Sequence, residues 1–298
     1  MGIDLDTLVT VLYVVVDDLY RERLAEVMGR RPGPAPTLSD SEVLTLAICA
    51  EWGPWDSERG FWRFACKRLR HLFPRLLDQS EFNRRRRSLY PALAAIQRAV
   101  AERLGAGLER ERLLDTKPVA VMVLKRHDDR GLSFDGRAAV GWCQAKRQYY
   151  YGFKLVLALS LGGVIVRYDL VPANVDDREA AAEVLEPGRR YWADKGFFGR
   201  ECQREWAQSD GAIVRAEPPR GTRAAWPRAF AYLAHRVRQL IEVVNAQLQG
   251  QFAIERTLAK TLWGLVTRVQ AKLTAHTFGH YLNLIQGQPP LALKALVV

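Results

Sequence analysis

The sequence predicts an α+β protein, in which an all-α N-terminal domain is followed by an α/β domain whose mixed sheet is flanked by helices. Three observations support this class. Apolar residues recur at helical spacing near the N-terminus, as at Leu5, Leu8, Leu12 and Leu19. Apolar or β-branched runs bounded by turn residues follow between residues 112 and 215. Helical spacing returns after residue 232.

The predicted helices of the N-terminal part are bounded by turn and capping signals. Residues 30–37 combine proline and glycine and are predicted to be a linker. Ser39, with Glu42 three positions later, has the capping-box pattern that begins a helix. The predicted helices cover about 3–28, 39–51, 56–72 and 80–104.

The middle of the chain contains the predicted strands. They lie at 113–114, 119–124, 152–160, 164–171, 191–193 and 212–215, and the third and fourth form a hairpin. A helix over 174–185 follows that hairpin, and helices over 232–250 and 260–285 end the chain. We therefore expect a helical domain at 1–110, an α/β domain at 111–290 and a short tail at 291–298.

Composition excludes several protein classes. Of the 298 residues, 48% are apolar and 26% charged, which argues against disordered, collagen-like and coiled-coil proteins. The four cysteines form no CxxC pair, so neither a disulfide framework nor a zinc knuckle is indicated. The longest apolar run is too short for a bilayer span and lacks the flanks of a signal peptide. These features predict a cytoplasmic protein without a membrane partner, associated with the nucleoid when bound to DNA.

The charge is strongly positive and unevenly distributed. The chain has 44 Lys+Arg against 33 Asp+Glu, a net charge of +11. Between residues 59 and 98, eleven Lys/Arg face only Asp78 and Glu81. This segment includes the continuous run Arg84, Arg85, Arg86 and Arg87, whose guanidinium groups suit phosphate and guanine. Nucleic acid is the expected partner, and a solvated helix face is the alternative.

Three acidic residues occupy positions that suit metal chemistry. Asp115 lies on an otherwise apolar strand, Asp194 ends another strand before a turn, and Glu242 lies in a helix. A carboxylate on a buried strand is unfavourable unless something pairs with it, and a metal ion is one such partner. Two strand-borne aspartates and a helical glutamate form a hard oxygen set for Mg²⁺. Two ions in such a set activate a water and stabilise the leaving oxygen of a phosphodiester.

The helix around Glu242 has one polar face. At helical spacing, a polar stripe lies opposite an apolar face that contains Val244 and Leu248. The stripe consists of His235, Arg238, Glu242, Asn245 and Gln249.

Ordinary structural roles compete with each acidic assignment. A strand-end aspartate can serve as a helix cap, and Glu242 can belong to a surface Arg–Glu pair. Asp176 and Asp177 are rival second carboxylates, although helix capping is favoured for them. Glu255 is a rival of Glu242. His127-Asp128 is interpreted as a loop rather than a phosphohydrolase pair, and packing or a DNA-facing role is favoured for His276 and His280.

Together these residues resemble the DDE transposases of bacterial insertion sequences, in their compact single-frame subgroup. The order Asp115, Asp194, Glu242 and the Arg-x3-Glu spacing of Arg238 and Glu242 match that family. Similar sequence motifs are Leu38 to Val43, Tyr151 to Leu155, Pro172-Ala173-Asn174 and Asp194 to Phe197. The chain departs from the family signature at His235, which replaces a tyrosine, and at Gln249, which replaces a lysine.

The resemblance implies a ribonuclease-H-like catalytic fold in which Asp115, Asp194 and Glu242 are catalytic residues and ligands of two Mg²⁺ ions, with Mn²⁺ able to substitute. It implies binding of terminal inverted repeats, cleavage, and transfer of the 3′-hydroxyl to target DNA by a homodimer on double-stranded DNA. The residues expected to contact DNA are Arg84, Arg85, Arg86, Arg87, Lys154, Lys195, His235, Arg238, Gln249, Arg268 and Lys272.

Two other functions remain open at this point. One is a non-catalytic DNA-binding protein derived from a transposase, which the departures at His235 and Gln249 favour. The other is a ribonuclease-H-like nuclease acting on RNA–DNA hybrids, against which the long basic N-terminal segment argues.

Overall fold

The computed structural model describes residues 4–29, 36–53, 55, 57–122, 134, 136–218 and 226–296. Most of the predicted linker at 30–37, the end of the predicted strand 119–124 and the pair His127-Asp128 lie outside these ranges. Within them, no helix combines the length and the apolar character that crossing a membrane requires.

Residue contacts divide the chain into two compact units. The helical unit contains Met1–Val100 and Trp263–Val298, and the sheet unit contains Ala101–Leu262. The predicted catalytic segment 111–290 includes a long C-terminal helix that the structure groups instead with the first hundred residues. Periodicity reveals which face of a helix is apolar, but it does not reveal which part of the chain covers that face.

The helical unit follows the predicted elements with two additional breaks. The predicted helix 3–28 is divided at Leu24, and the predicted helix 80–104 is divided at Leu89. Pro91 explains the second break, because it lacks an amide hydrogen and its ring excludes the carbonyl one helical turn earlier. The capping box of Ser39 and Glu42 is confirmed. The helices are α1 Leu5–Arg23, α2 Ala25–Met28, α3 Asp40–Cys49, α4 Glu58–Arg68, α5 Gln79–Ser88, α6 Tyr90–Arg103 and, after the sheet unit, α10 Leu262–Ile285.

Helix α10 forms the centre of the helical unit. Its residues from Leu265 to Leu282 are buried on nearly every side, as expected for a helix surrounded by other helices. His276 and His280 are both fully buried, with ring centroids 4.8 Å apart. Of the two roles favoured for these histidines, packing and a DNA-facing role, their burial supports packing.

Burial of this histidine pair predicts acid sensitivity. Burial lowers the pKa of His280 to about 4, and burial together with His280 lowers the pKa of His276 well below its usual value. Between pH 6.5 and 4 the unfolded chain therefore binds protons that the folded chain does not. As the pH is lowered through this range, we expect His280 alone to reduce the free energy of unfolding by about 1.4 kcal/mol per pH unit.

Urea unfolding at pH 7.5, 6.5 and 5.5 measures this loss. His280→Leu is expected to reduce the pH slope. His71→Gln is the control, because His71 is a half-exposed histidine paired with Asp6. This variant is expected to keep most of the pH dependence of the free energy of unfolding. An unchanged slope in His280→Leu would contradict the assignment.

A buried cluster of charged side chains connects α4, α5 and α10 with the segment after α3. Glu58 accepts hydrogen bonds from Arg86 and from the guanidinium of Arg268, and its distance to Arg268 Nη2 is 2.8 Å. Lys272 Nζ lies 2.7 Å from Glu51, and Arg86 Nη1 lies 3.8 Å from Glu51. We call Glu51, Glu58, Arg86, Arg268 and Lys272 the buried ion cluster.

The sheet unit is built on one mixed sheet. β3 pairs antiparallel with β1, while β2 and β4 pair with successive parts of its other edge. β1 pairs parallel with β5, and β5 pairs parallel with β6. Four strands joined by antiparallel pairing are continued by two parallel ones, and helices flank the sheet. This arrangement is ribonuclease-H-like and confirms the predicted fold class. The elements are β1 Glu111–Met122, β2 Ala139–Cys143, β3 Gln148–Ser160, β4 Ile165–Pro172, α7 Asp177–Ala182, β5 Arg190–Ala193, a 3-10 turn Lys195–Phe197, α8 Arg200–Ser209, β6 Ile213–Ala216 and α9 Arg228–Gly250.

Strand β2 and the full length of β1 were not predicted from the sequence. β2 is only five residues long and half exposed, and Gly141 interrupts its short apolar run. Gly152 lies where β3 meets both β1 and β2, and a Cβ atom there would lie 2.3 Å from the carbonyl oxygen of Val119. Close packing against the backbone of β1 therefore explains why a glycine occupies position 152 of the Tyr-Gly-Phe-Lys motif.

Candidate active site

A cleft of about 950 Å³ opens in the sheet unit beside the carboxyl ends of β5 and β6. β1, the β2–β3 hairpin and α9 supply its other walls. The carboxyl ends of neighbouring parallel strands lie at one edge of a sheet, which is where α/β folds commonly place their sites.

All three predicted catalytic carboxylates line this cleft. Asp115 lies on β1, Asp194 directly follows β5, and Glu242 lies on α9. The structure therefore brings together side chains from three elements that are distant in sequence.

Asp115 is a buried carboxylate. Asn245, one turn after Glu242 on α9, donates a hydrogen bond from Nδ2 to Asp115 Oδ2 at 2.5 Å. Burial raises the pKa of Asp115 to about 6, the hydrogen bond from Asn245 opposes this rise, and the nearby charges of Asp194 and Asp177 add to it. The carboxylate thus lies among like charges, which a cation would relieve.

Asp194 is oriented by its own turn and by an arginine. The amide of Lys195 donates to Asp194 Oδ1 at 2.6 Å, so that Asp194 caps the 3-10 turn. Arg238 lies with Nη2 3.5 Å from Asp194 and Nη1 2.6 Å from Glu217. Arg238 on α9 therefore bridges the carboxylates that follow β5 and β6.

The polar stripe of α9 faces the cleft. Arg238, Glu242, Asn245 and Gln249 line it, whereas Val244 and Leu248 are fully buried, so the predicted amphipathic helix is confirmed. His235, the fifth member of the stripe, is exposed and lies outside the cleft lining. The side chain of Glu242 is exposed and makes no hydrogen bond or ion pair with any described residue.

Three further acidic residues line the cleft. Asp176 caps α7 as predicted, accepting from the amide of Arg178, but Asp177 lies in the cleft. Glu255 also lies there, paired with Lys117 and Lys146. Glu217 was missed by sequence reasoning, although its place two residues after the predicted strand 212–215 was a usable signal.

The charges of the described lining residues nearly balance. Six carboxylates face five cationic side chains, so the cleft itself is not a basic surface. The carboxylates are Asp115, Asp177, Asp194, Glu217, Glu242 and Glu255, and the cations are Lys117, Lys146, Lys154, Lys195 and Arg238.

The residues predicted to contact DNA fall into separate groups. Lys154, Lys195, Arg238 and Gln249 line the cleft, and His235 is exposed on α9 outside its lining. Arg86, Arg268 and Lys272 belong to the buried ion cluster, and Arg85 pairs with Asp40 at 2.6 Å. Arg84 is exposed and Arg87 is half exposed. The run of four arginines is thus divided between ion pairs and the surface.

The described part of the chain contains no preformed metal site. No group of three or more His, Cys, Asp or Glu side chains there is arranged closely enough to hold an ion.

Two comparisons with known proteins found a match. A family model described as Transposase DDE domain matches residues 113–278, more than half of the chain. Among solved structures, the piggyBac transposase in a synaptic complex with hairpin DNA is similar over 98% of this chain and 78% of that chain, with 10% identity and a TM-score of 0.44. No curated protein matches the chain. The extent of the family match shows that the chain belongs to the DDE transposase family.

Proposed function

We propose that this chain is the transposase of an insertion sequence, which binds terminal inverted repeats, cleaves the DNA at them and transfers the freed 3′-hydroxyl to target DNA. The observation that carries this proposal is the convergence of Asp115, Asp194 and Glu242 on one cleft of a ribonuclease-H-like sheet. The proposal includes action as a homodimer on paired ends.

The carboxylate oxygens in the cleft are suitable ligands for Mg²⁺, and Mn²⁺ is expected to substitute for it. Asp115 lies among like charges and accepts a hydrogen bond from the neutral amide of Asn245, and the Glu242 side chain is unpaired among the described residues. Carboxylate oxygens are the ligands that such hard cations prefer. We propose that Asp115, Asp194 and Glu242 hold two ions, which requires them to approach more closely than they do in the structure. When bound, such ions activate a water or a hydroxyl and stabilise the leaving oxygen.

The surrounding side chains prepare this site. Asn245 fixes the Asp115 carboxylate, and Arg238 holds Asp194 beside Glu217. Lys195 is exposed in the cleft and forms no ion pair with a described residue, so its ammonium group is available to the phosphate next to the reacting bond. Gln249, at the far end of the polar stripe, offers a neutral donor to the same strand.

We place the main DNA-binding surface on α4. Arg59, Arg63 and Lys67 repeat every four residues, so they share one side of the helix, and all three are exposed. Phe61 and Trp62 anchor the opposite side in the core. No ion pair joins these three cations to a described residue, which leaves them free to neutralise phosphates. Arg84 on α5 and Arg98 on α6 are also exposed in the helical unit.

A double substitution tests the α4 surface. Arg59→Ala combined with Arg63→Ala is expected to weaken binding to duplex DNA and to lower the slope of log affinity against log salt by about 2, one for each lost phosphate contact. Arg200→Ala combined with Arg204→Ala is the matched control, an exposed pair at the same spacing on α8. Fluorescence anisotropy at several salt concentrations measures both. Equal slopes in the two variants would remove α4 from the proposal.

A cleavage assay tests the function. Full-length protein is incubated with DNA that carries the inverted repeats flanking its gene, with Mg²⁺ or Mn²⁺. Metal-dependent cuts at the repeat ends, followed by joining to target DNA, are expected. Tight binding without cleavage would instead favour a non-catalytic DNA-binding protein, and preferential cleavage of an RNA–DNA hybrid would favour a hybrid nuclease.

A further inference from the structure

We infer that Asp177 is a positioning residue, held by Lys154, that keeps the segments carrying Asp115 and Asp194 in register across the cleft. This inference rests on the proposed function, because it assigns a role beside the proposed catalytic carboxylates.

The Asp177 carboxylate contacts three elements. Lys154 Nζ, on β3, donates to Asp177 Oδ1 at 2.6 Å, and Thr116 Oγ1, on β1, donates to the same oxygen at 3.3 Å. The other oxygen faces the 3-10 turn, since a Cβ atom on Gly196 would lie 2.9 Å from Asp177 Oδ2. Thr116 directly follows Asp115 in the chain, and Gly196 is two residues after Asp194. One carboxylate therefore touches both segments that carry the strand-derived aspartates.

Lys154 anchors this arrangement from the sheet. Its ammonium group also donates to the carbonyl oxygen of Val175 at 2.7 Å, and its side chain is only 15% exposed. Two acceptors from the start of α7 thus occupy the lysine. We therefore assign Lys154 to holding Asp177 rather than to contact with DNA.

The neighbouring Asp176 shows what a capping residue looks like here. It caps α7 through the amide of Arg178, forms an ion pair with the same arginine, and is 53% exposed outside the cleft lining. Capping is thus carried out by Asp176 and does not explain the inward placement of Asp177. The two adjacent aspartates form a natural pair of test and control.

The first experiment compares single-turnover cleavage of end-bearing DNA by full-length variants at saturating DNA with Mn²⁺. Asp177→Asn is expected to lower the cleavage rate by about 10- to 100-fold, as loss of a group that orients metal ligands does, while the affinity for DNA changes less than about twofold. Lys154→Met is likewise expected to lower the cleavage rate while the affinity for DNA changes little. The double variant is expected to cleave no more slowly than the slower of the two single variants, because both residues act as one unit. Asp176→Asn should keep the wild-type rate, since asparagine also caps helices well.

Several results would overturn the inference. They are a wild-type rate in Asp177→Asn, a wild-type rate in Lys154→Met, or rate losses that multiply in the double variant. A wild-type rate in Lys154→Met together with a slow Asp177→Asn would make Asp177 a metal ligand that needs no anchor. Thermal unfolding of each variant is measured alongside, and a rate loss that follows only a loss of folded protein also counts against the inference.

A second readout does not need catalysis. Titration of Mn²⁺ into the DNA-free protein by calorimetry is expected to show about 10- to 100-fold weaker binding in Asp177→Asn and Lys154→Met, and unchanged binding in Asp176→Asn. If the wild-type protein binds Mn²⁺ with this pattern but cleaves no DNA, the proposed function fails and the positioning role stands. If it cleaves DNA but the variants bind Mn²⁺ like the wild type, the positioning role fails alone.

Discussion

Replacing Asp115 with asparagine is expected to eliminate cleavage of end-bearing DNA without harming the fold. The amide has the size of the carboxyl group and remains within reach of Asn245, but it carries no charge to bind a cation. Loss of one charge-stabilising group lowers rates by about 10²- to 10³-fold, and we expect at least the upper figure for a residue proposed to bind the metal directly. Single-turnover cleavage with Mn²⁺ measures the effect.

The thermal stability of the Asp115→Asn variant provides an independent test of the site. Because burial raises the pKa of Asp115 to about 6, the ionised carboxylate opposes folding at pH 7 in the absence of metal. Asp115→Asn is therefore expected to unfold at the same temperature as the wild type or higher, and to lose the stabilisation that Mn²⁺ gives the wild type. Asp169→Asn is the matched control, a strand-borne aspartate on β4 outside the cleft lining. Cleavage that persists in Asp115→Asn, or is lost equally in Asp169→Asn, would refute the site.

The largest effect on stability is expected at Glu58. Burial opposes its ionisation, but the charges of Arg86 and Arg268 and their hydrogen bonds outweigh burial and lower the pKa of Glu58. Glu58→Gln removes the charge that both arginines face. We expect a loss of about 3 kcal/mol in the free energy of unfolding, at the low end for a broken buried ion pair because the side chain is 28% exposed.

Urea unfolding at pH 7 measures the loss at Glu58. Since its pKa is lowered, the carboxylate stabilises the fold above pH 4.5 and less as the pH falls further, so the gap between variant and wild type should narrow in acid. Glu81→Gln, an exposed glutamate of the first turn of α5, serves as the control and should change stability by less than about 0.5 kcal/mol. A loss of similar size in both variants would mean that the buried ion cluster contributes no specific stabilisation.

Local patterns in the sequence were sufficient for much of this molecule. Residues close together in the chain determine the capping box of Ser39 and Glu42, the positions of most strands along the chain and the amphipathic face of α9. The structure confirms each of these. Asp115 on a strand and Asp194 at a strand end were identified by the same local reasoning. The match to the DDE family depended on their combination with Arg238 and Glu242.

Long-range contacts decided what the local patterns left open. Arg84 to Arg87 form one uniform basic run in the sequence, yet the fold engages Arg85 and Arg86 with acidic partners and leaves Arg84 exposed. The physical reason is that the orientation of a side chain on a helix follows from spacing, whereas the partner it meets depends on which other elements pack there.

The same distinction holds in the cleft and in the assignment of α10. By itself the sequence determined the class of fold, the family and the three acidic candidates, because these follow from periodicity and local motifs. Only the tertiary structure decided that Asp177, rather than Asp176, faces Asp115 and Asp194, and that α10 packs with the first hundred residues. Both outcomes depend on contacts between residues far apart in the chain, and no local pattern encodes the partner in such a contact.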